Sequence, residues 1–220
     1  MSSLKLYLAS GACSFVPHSL LEASGAAFEP VMVKLHRGEQ YSDEYKALNP
    51  RSQVPVLVDD GAVITQIVAI ICHLDARFPQ AHMLPAGGLA RTRALETLMW
   101  MNNTVHPTFT HIFMPHKFTD NAAAQAELKA FNTRVYRDLL GELQVLVQKA
   151  GAAGQAFLAE SGFGALDAYS LTLLRWGTLA GIDPAGFPDL WAFVQRVAQV
   201  PAAQRAMERE RLQLNLYKPA

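Results

Sequence analysis

The sequence has few cysteines and no excess of charge of either sign. Two cysteines, Cys13 and Cys72, occur among 220 residues, too few for the disulfide framework of a small secreted protein. Lysine and arginine together number 19, as do aspartate and glutamate, so the formal net charge is zero. A neutral chain lacks the basic surface that binds nucleic acid or an anionic membrane. The composition therefore predicts a protein of a reducing compartment that binds neither.

Long apolar runs are also missing. No stretch approaches the roughly 18–20 apolar residues that cross a bilayer. The apolar N-terminal stretch "LKLYLASGACS" is too short for a secretory signal. Half of the residues are hydrophobic and 17% are charged, which excludes extensive disorder. We expect a soluble, cytoplasmic protein with a substantial core.

The first 80 residues alternate between strand and helix patterns. Strands are predicted over 4–8, 28–35, 56–58 and 62–65, and helices over 14–24, 42–48 and 66–77. Asp59, Asp60 and Gly61 form the turn between the last two strands. This order, βαβαββα, predicts an α/β fold with a small mixed sheet.

The remainder of the chain has helical periodicity and little strand signal. Helices are predicted over 89–115, 120–150, 166–180, 187–199 and 202–210. We therefore divide the chain into an α/β domain over 1–80, a linker over 81–88 that is rich in proline and glycine, and an all-α domain over 89–220. Near the start of the helix predicted over 166–180, Asp167 is expected to cap the helix as a structural residue.

Cys13 lies between two small residues, Gly11 and Ala12, and the first predicted helix. The N–H groups and partial positive charge of a helix N-terminus favour an anion, so a thiolate here would have a lowered pKa. The alternative is a small buried apolar side chain, the usual state of a lone cysteine. No second cysteine lies three residues further on, which argues against dithiol exchange. Cys72 is expected to be structural.

Five segments carry a family resemblance. They are "GACSFVPHSLL" at 11–21, "NPRSQVPVLVDDG" at 49–61, "VAI" at 68–70, "VHPTFTHIF" at 105–113 and "LDAYSLTLLRW" at 166–176. Together, in this order and spacing, they are similar to the bacterial glutathione S-transferases, and most similar to the cysteine-containing beta class. The resemblance implies a thioredoxin-like N-terminal domain that binds glutathione and a helical domain that binds a hydrophobic electrophile. It also implies a homodimer that acts in detoxification.

The resemblance places the glutathione site on residues from both parts of the chain. It implies contacts from Arg37, Gln53, Val54, Pro55, Gln66 and Ile67. Asn103 is added because Pro107 would free its carbonyl, so that Asn103 could face the cleft. Val54 precedes a cis-proline in the family and would offer its backbone to the cysteinyl part of glutathione. Gln66 and Ile67 depart from the family's Glu-Ser pair, so weaker glutathione binding or a changed thiol ligand is expected. Arg37 is equally consistent with a solvated surface residue.

His106 and nearby aromatic residues extend the site into the helical part. A neutral His106 could exchange a proton with the thiol, or it could be a core histidine. Pro107 is expected to break the helical hydrogen bonding there. Trp100, Phe109 and Phe113 could line an apolar pocket, although such a stripe is also typical of a core. The spacing of His106, His111 and His116 does not fit one helix face, so no metal is expected.

The sequence therefore favours a glutathione transferase with Cys13 and His106 as catalytic residues. Glutathione would be the co-substrate, and its thiol would be conjugated to a hydrophobic electrophile or exchanged with a mixed disulfide. The alternative is a glutathione-transferase-like binding protein with little catalytic power, which the Gln66-Ile67 pair favours.

Overall fold

The N-terminal part is an α/β layer built on a four-stranded sheet. The computed structural model describes residues 3–219. Its first elements are β1 (Leu4–Leu8), α1 (Phe15–Ser24), β2 (Glu29–Met32), α2 (Asp43–Leu48), β3 (Val56–Asp59), β4 (Ala62–Thr65) and α3 (Ile67–Arg77). The strand order is β2-β1-β3-β4, with β1 parallel to β2 and antiparallel to β3, and β3 antiparallel to β4. The predicted βαβαββα order is confirmed.

Strand β1 separates two apolar layers because its side chains alternate between the sheet faces. Leu4, Leu6 and Leu8 are buried in the main core, which includes residues of α1 and α3. Tyr7 points the other way and packs edge-on against Tyr45 of α2, with ring centroids 6.1 Å apart. Tyr7 therefore belongs to the smaller apolar cluster beneath α2.

The C-terminal part is helical, as predicted. It contains α4 (Gly88–Trp100), α5 (His106–Phe113), α6 (Ala122–Ala152), α7 (Ala165–Leu179), α8 (Pro188–Ala198) and α9 (Pro201–Glu210). The single helix predicted over 89–115 is wrong in detail, because a π-helical segment, Met101–Val105, separates α4 from α5. There the N–H of His106 donates to the carbonyl of Met101, five residues earlier. Pro107 follows immediately and has no N–H to continue the α-helical pattern.

Helix α7 forms the centre of the helical part, and almost every residue from Ala165 to Thr178 is buried. The Tyr136 hydroxyl of α6 donates to the Leu173 carbonyl of α7 at 2.7 Å. A Cβ atom at Gly177 would lie 2.8 Å from a methyl group of Leu140, so glycine permits the close approach of α6 and α7. Within residues 3–219, no helix is both long and apolar enough to span a bilayer.

Helix α1 joins the two parts by packing against α7 and α9. Arg205 of α9 donates from Nε to Glu22 Oε2 of α1 at 2.7 Å. The segment over 81–88, predicted as a linker, is itself anchored: Met83 and Leu84 are buried, and the Leu84 N–H donates to Asp75 Oδ1 at 3.0 Å. The loop that carries Cys13 therefore lies where both parts meet.

Candidate active site

Cys13 lies in the tight turn that leads into α1, one residue before the N-cap Ser14. The turn is closed by two backbone hydrogen bonds, from Ala12 N–H to the Ala9 carbonyl and from Phe15 N–H to the Ala12 carbonyl, each 3.1 Å long. The Ser14 hydroxyl bonds both to the N–H and to the carbonyl of Ala9, at 3.0 and 3.2 Å. Ser14 is therefore used to shape the turn.

The expected lowering of the Cys13 pKa is wrong in this structure. Burial, together with the negative charge of Glu210, raises the pKa of the Cys13 thiol to about 12, although nearby backbone N–H groups lower it in part. The thiol instead donates to the Val54 carbonyl, with sulfur and oxygen 3.6 Å apart. Cys13 is thus a protonated hydrogen-bond donor at neutral pH, and the helix N-terminus alone does not ionise it.

The Val54–Pro55 peptide bond is cis, as the family resemblance implies. Val54 precedes β3, and its N–H has no hydrogen-bond partner among residues 3–219. The neighbouring Gln53 side chain is exposed, and its carbonyl accepts hydrogen bonds from Tyr45 Oη at 2.9 Å and Asn49 Nδ2 at 2.8 Å. This segment therefore presents an open peptide edge beside Cys13.

The loop of Cys13 is also held by residues of the helical part that sequence reasoning missed. Glu210 Oε2 accepts from the Gly11 N–H at 2.9 Å, and the Glu210 carbonyl accepts from Ser10 Oγ at 2.6 Å. Trp176 Nε1 donates to the Gly11 carbonyl at 2.9 Å. Glu210 is about 200 residues from this loop in sequence, and no local pattern could have revealed the contact. Trp176, in contrast, belonged to one of the five family-like segments.

Gly11 cannot be replaced without strain, because it has a φ of +71° and lies against Arg175. A Cβ atom there would be 2.7 Å from Arg175 Nη1. We therefore expect Gly11→Ala to destabilise the protein by about 1–3 kcal/mol. Urea unfolding would measure this effect. Gly61→Ala is the matched control for a positive φ, since a Cβ there meets no atom within 4 Å; equal losses in the two variants would contradict a role for the Arg175 contact.

His106 begins α5, and its ring lies among aromatic side chains of α7. Its Nδ1 is 2.8 Å from the Tyr169 hydroxyl, and its ring packs edge-on against Trp176 with centroids 4.7 Å apart. Burial lowers the pKa of His106 to about 4, so the imidazole is neutral at pH 7, as expected. Tyr169 lies near Cys13, since the negative charge of a Cys13 thiolate would raise the pKa of Tyr169. His106, Tyr169 and Trp176 thus form one wall beside the Cys13 loop.

The other residues that were expected to contact glutathione either are exposed or can offer only their backbone to a ligand. Arg37, in a short 3₁₀ turn, is exposed, as are Gln66 and Asn103. Gln66 has a φ of +70° and precedes α3. The Ile67 side chain is 5% exposed and belongs to the main core, so only its backbone remains for a ligand. The Asn103 side chain accepts from Asn102 Nδ2 at 2.8 Å.

The predicted aromatic pocket is partly wrong. Phe109 is buried and lies stacked between Phe113 and Trp176, with centroids 5.6 and 4.7 Å away. Its burial in this stack makes Phe109 a core residue. Phe113 is 55% exposed and Trp100 is half-buried, so these two remain accessible to an apolar ligand.

His111 donates from Nδ1 to the Pro107 carbonyl at 2.7 Å. Residues 3–219 contain no cluster of three potential metal ligands.

Comparison with known proteins gives the family. The model of the glutathione S-transferase N-terminal domain matches residues 2–76. Glutathione S-transferase GstA of Escherichia coli O157:H7 is 32% identical, over 95% of this chain and 100% of the relative. The chain belongs to the glutathione S-transferase family. The similarity covers both the α/β part and the helical part, so the fold class predicted from sequence is confirmed.

Solved structures of the family agree with this assignment. A bacterial beta-class transferase of Sphingomonas chungbukensis is 30% identical, with a TM-score of 0.81 over 94% of this chain and 98% of that one. A sphingomonad glutathione S-transferase complexed with glutathione is 32% identical, with a TM-score of 0.80 over 95% of this chain and 100% of that one. One of these two structures is of the beta class, the class that the five sequence segments resemble most.

Proposed function

We propose that this protein is a glutathione S-transferase that binds glutathione along Val54 and conjugates its thiol to a hydrophobic electrophile. The observation that carries the proposal is the open peptide edge of Val54 next to the Cys13 thiol, in a chain that belongs to this family. An extended peptide can add to such an edge through main-chain hydrogen bonds. The cysteinyl part of glutathione would then lie with its sulfur toward Cys13.

In this arrangement Cys13 acts as a neutral donor. A protonated thiol is a poor nucleophile because the thiolate is the reactive species. The high pKa of Cys13 therefore favours conjugation through the sulfur of glutathione over exchange with a mixed disulfide. The neutral His106 can assist by accepting a hydrogen bond from the bound thiol. Phe113 and Trp100 supply apolar surface for the electrophile.

The γ-glutamyl end of glutathione would meet Gln66 and the backbone of Ile67. Gln66 is exposed and uncharged, so it can form hydrogen bonds but no ion pair with the ligand's ammonium group. Each missing hydrogen bond to a charged group weakens binding by about 1.5–3 kcal/mol. This observation favours the second candidate function, a binding protein that retains the fold with little catalytic power.

Calorimetry with glutathione and a conjugation assay distinguish the two candidates. Micromolar binding together with turnover of 1-chloro-2,4-dinitrobenzene is expected for the transferase. Binding without turnover would support the second candidate. The absence of both would contradict both functions and indicate another thiol ligand. A crystal soaked with glutathione would test whether the peptide lies along Val54.

We also propose a homodimer in the cytoplasm, with the chain divided into domains over 1–80 and 89–220. The relatives' family supports the dimer, and a net charge of zero is consistent with association. Light scattering coupled to size-exclusion chromatography is expected to give twice the mass of the chain. A monomeric mass at micromolar concentration would contradict the dimer.

A further inference from the structure

Hydrogen bonds connect the polar side chains of the π-helical segment to His106. Asn102 Nδ2 donates to Asn103 Oδ1 at 2.8 Å, which orients the Asn102 amide with its oxygen toward α7. The Tyr169 hydroxyl lies 3.3 Å from that oxygen and 2.8 Å from His106 Nδ1. Asn102 and His106 are four residues apart, so their side chains lie on the same face of the helix.

Counting donors and acceptors shows which group donates in each hydrogen bond between Asn102, Tyr169 and His106. The buried Tyr169 hydroxyl keeps its proton at neutral pH, since burial raises the pKa of Tyr169 well above its usual value. A phenol has one proton to donate, and an amide oxygen can only accept. Both contacts of Tyr169 are hydrogen bonds only if it donates to Asn102 and accepts from His106. In that arrangement, the proton of the neutral imidazole is on Nδ1.

The opposite arrangement leaves a mismatch. If Tyr169 donated to His106 Nδ1, its oxygen would face the amide oxygen of Asn102 with no proton between them. Two acceptors in a largely buried site repel each other, and a polar group left without its partner costs about 1–3 kcal/mol. The contact between His106 and Tyr169 is the same length in both arrangements. Asn102 is therefore the residue that distinguishes them.

We infer that Asn102 is a positioning residue that, through Tyr169, places the proton of His106 on Nδ1 and leaves Nε2 as a hydrogen-bond acceptor for the substrate thiol. This inference rests on the proposed function for the identity of the thiol. His106 Nε2 has no hydrogen-bond partner among residues 3–219. The His106 ring packs against Trp176, which bonds to the Gly11 carbonyl two residues before Cys13, so the imidazole lies near the Cys13 loop.

His106 takes part in the conjugation step as a neutral hydrogen-bond acceptor. Burial lowers the pKa of His106 to about 4, so an imidazolium at this position is not stable at neutral pH. The S–H of the bound thiol donates to Nε2, which orients the sulfur, while the Nδ1–H donates to the Tyr169 oxygen. The S–H bond then breaks, its proton passes to water, and the electron pair stays on sulfur; the thiolate attacks the electrophile and displaces its leaving group.

The tautomer of His106 can be measured directly by NMR. Long-range ¹H–¹⁵N correlation spectra of the ¹⁵N-histidine-labelled protein near pH 7 report which ring nitrogen carries the proton, and His106→Gln identifies the signals. We expect a protonated Nδ1 in the native protein. In Asn102→Leu the tyrosine proton is free to turn to the better acceptor, Nδ1, so the histidine proton is expected on Nε2. A native Nε2–H tautomer, or an unchanged tautomer in Asn102→Leu, would overturn the inference.

Two variants separate this effect from a general disturbance of the helix. Asn102→Asp keeps an oxygen that accepts, so Nδ1 is expected to stay protonated. Thr104→Ala changes an exposed residue of the same π-helical segment and is expected to leave the spectrum as in the native protein. A change of tautomer in Thr104→Ala would show that the segment, and not the Asn102 oxygen, controls His106.

Kinetics test whether the acceptor is used. Asn102→Leu is expected to lower kcat for conjugation by about tenfold, the effect of one lost hydrogen bond, with the glutathione Kd changed less than about threefold. His106→Gln should lose as much, and the double variant no more than either alone. Unchanged kcat in Asn102→Leu, or additive losses, would overturn the role in catalysis. A native protein that shows the Nδ1–H tautomer without binding glutathione would instead contradict only the proposed function.

Discussion

Cys13 is expected to react with iodoacetamide about a thousand times more slowly at pH 7 than an ordinary cysteine. Only the thiolate is alkylated, and an ordinary thiol with a pKa of about 8.5 is a few per cent ionised at neutral pH. Burial and the charge of Glu210 raise the pKa of Cys13 to about 12, so its ionised fraction is about 10⁻⁵ at pH 7. The alkylation rate should then increase about tenfold for each pH unit until the protein unfolds or the thiol titrates.

The measurement needs only the second cysteine removed. Cys72→Ser leaves Cys13 as the single cysteine, and mass spectrometry then follows its alkylation against free glutathione as the reference thiol. An alkylation rate equal to or above that of glutathione would contradict the raised pKa of Cys13 and would support the hypothesis that Cys13 is an ionised thiolate. Glu210→Gln keeps an acceptor for the Gly11 N–H while removing a negative charge, so it is expected to accelerate the reaction.

Asp167→Ala is expected to lower the free energy of unfolding by roughly 2–6 kcal/mol. The Asp167 carboxylate is buried at the start of α7 and accepts two backbone N–H groups at 2.8 Å each, from Leu158 and from the N-cap Gly164. Removing it leaves both donors without a partner. Gly164 cannot gain a capping side chain in compensation, because a Cβ atom there would lie 2.5 Å from the Met83 carbonyl oxygen.

Urea unfolding at constant pH measures the loss. Asp189→Ala is the matched control, since Asp189 lies in the first turn of α8 and is exposed. It is expected to cost less than about 1 kcal/mol. Similar losses in the two variants would show that burial of the Asp167 hydrogen bonds contributes little.

The same carboxyl group makes stability depend on pH. Burial raises the pKa of Asp167 from 3.8 to about 7, although the two N–H groups lower it in part. Between about pH 4 and 7 the folded protein therefore keeps a proton that the unfolded chain releases. The contribution of this proton to the free energy of unfolding is fully present below about pH 4. It is lost as the pH rises through 7, by up to about 1.4 kcal/mol per pH unit. Asp167→Asn should remove this decrease in stability with pH. If the native protein instead became more stable between pH 4 and 7, the raised pKa of Asp167 would be contradicted.

Much of the fold could be predicted because it follows from local patterns. Alternation in β1 and helical spacing in α1 and α3 are visible in single segments, and Pro107 marked the place where the long helix changes to a π-helical segment. Strand β2 was predicted too long, over 28–35, because the apolar residues after Met32 suggested a strand. Val33 is buried beneath α2, outside the strand, which a sequence pattern cannot separate from strand burial.

The candidate site could be proposed from sequence more readily than its chemistry. Motifs suggested Cys13, Val54 and His106, and the structure places the Cys13 thiol against the Val54 carbonyl. Phe109 was misjudged because an apolar residue of a helix looks the same whether it lines a cleft or fills a core. The stack of Phe109 between Phe113 and Trp176 exists only after α5 and α7 pack together.

The sequence by itself determined the order of elements, the family and the turn in which Cys13 lies. All three depend on residues that are close together in the chain. The tertiary structure alone decided which groups carry protons, since a pKa depends on burial and on charges brought from elsewhere. Glu210, about 200 residues from Gly11, helps to keep Cys13 protonated, and Tyr169, on α7, bonds to the imidazole of His106.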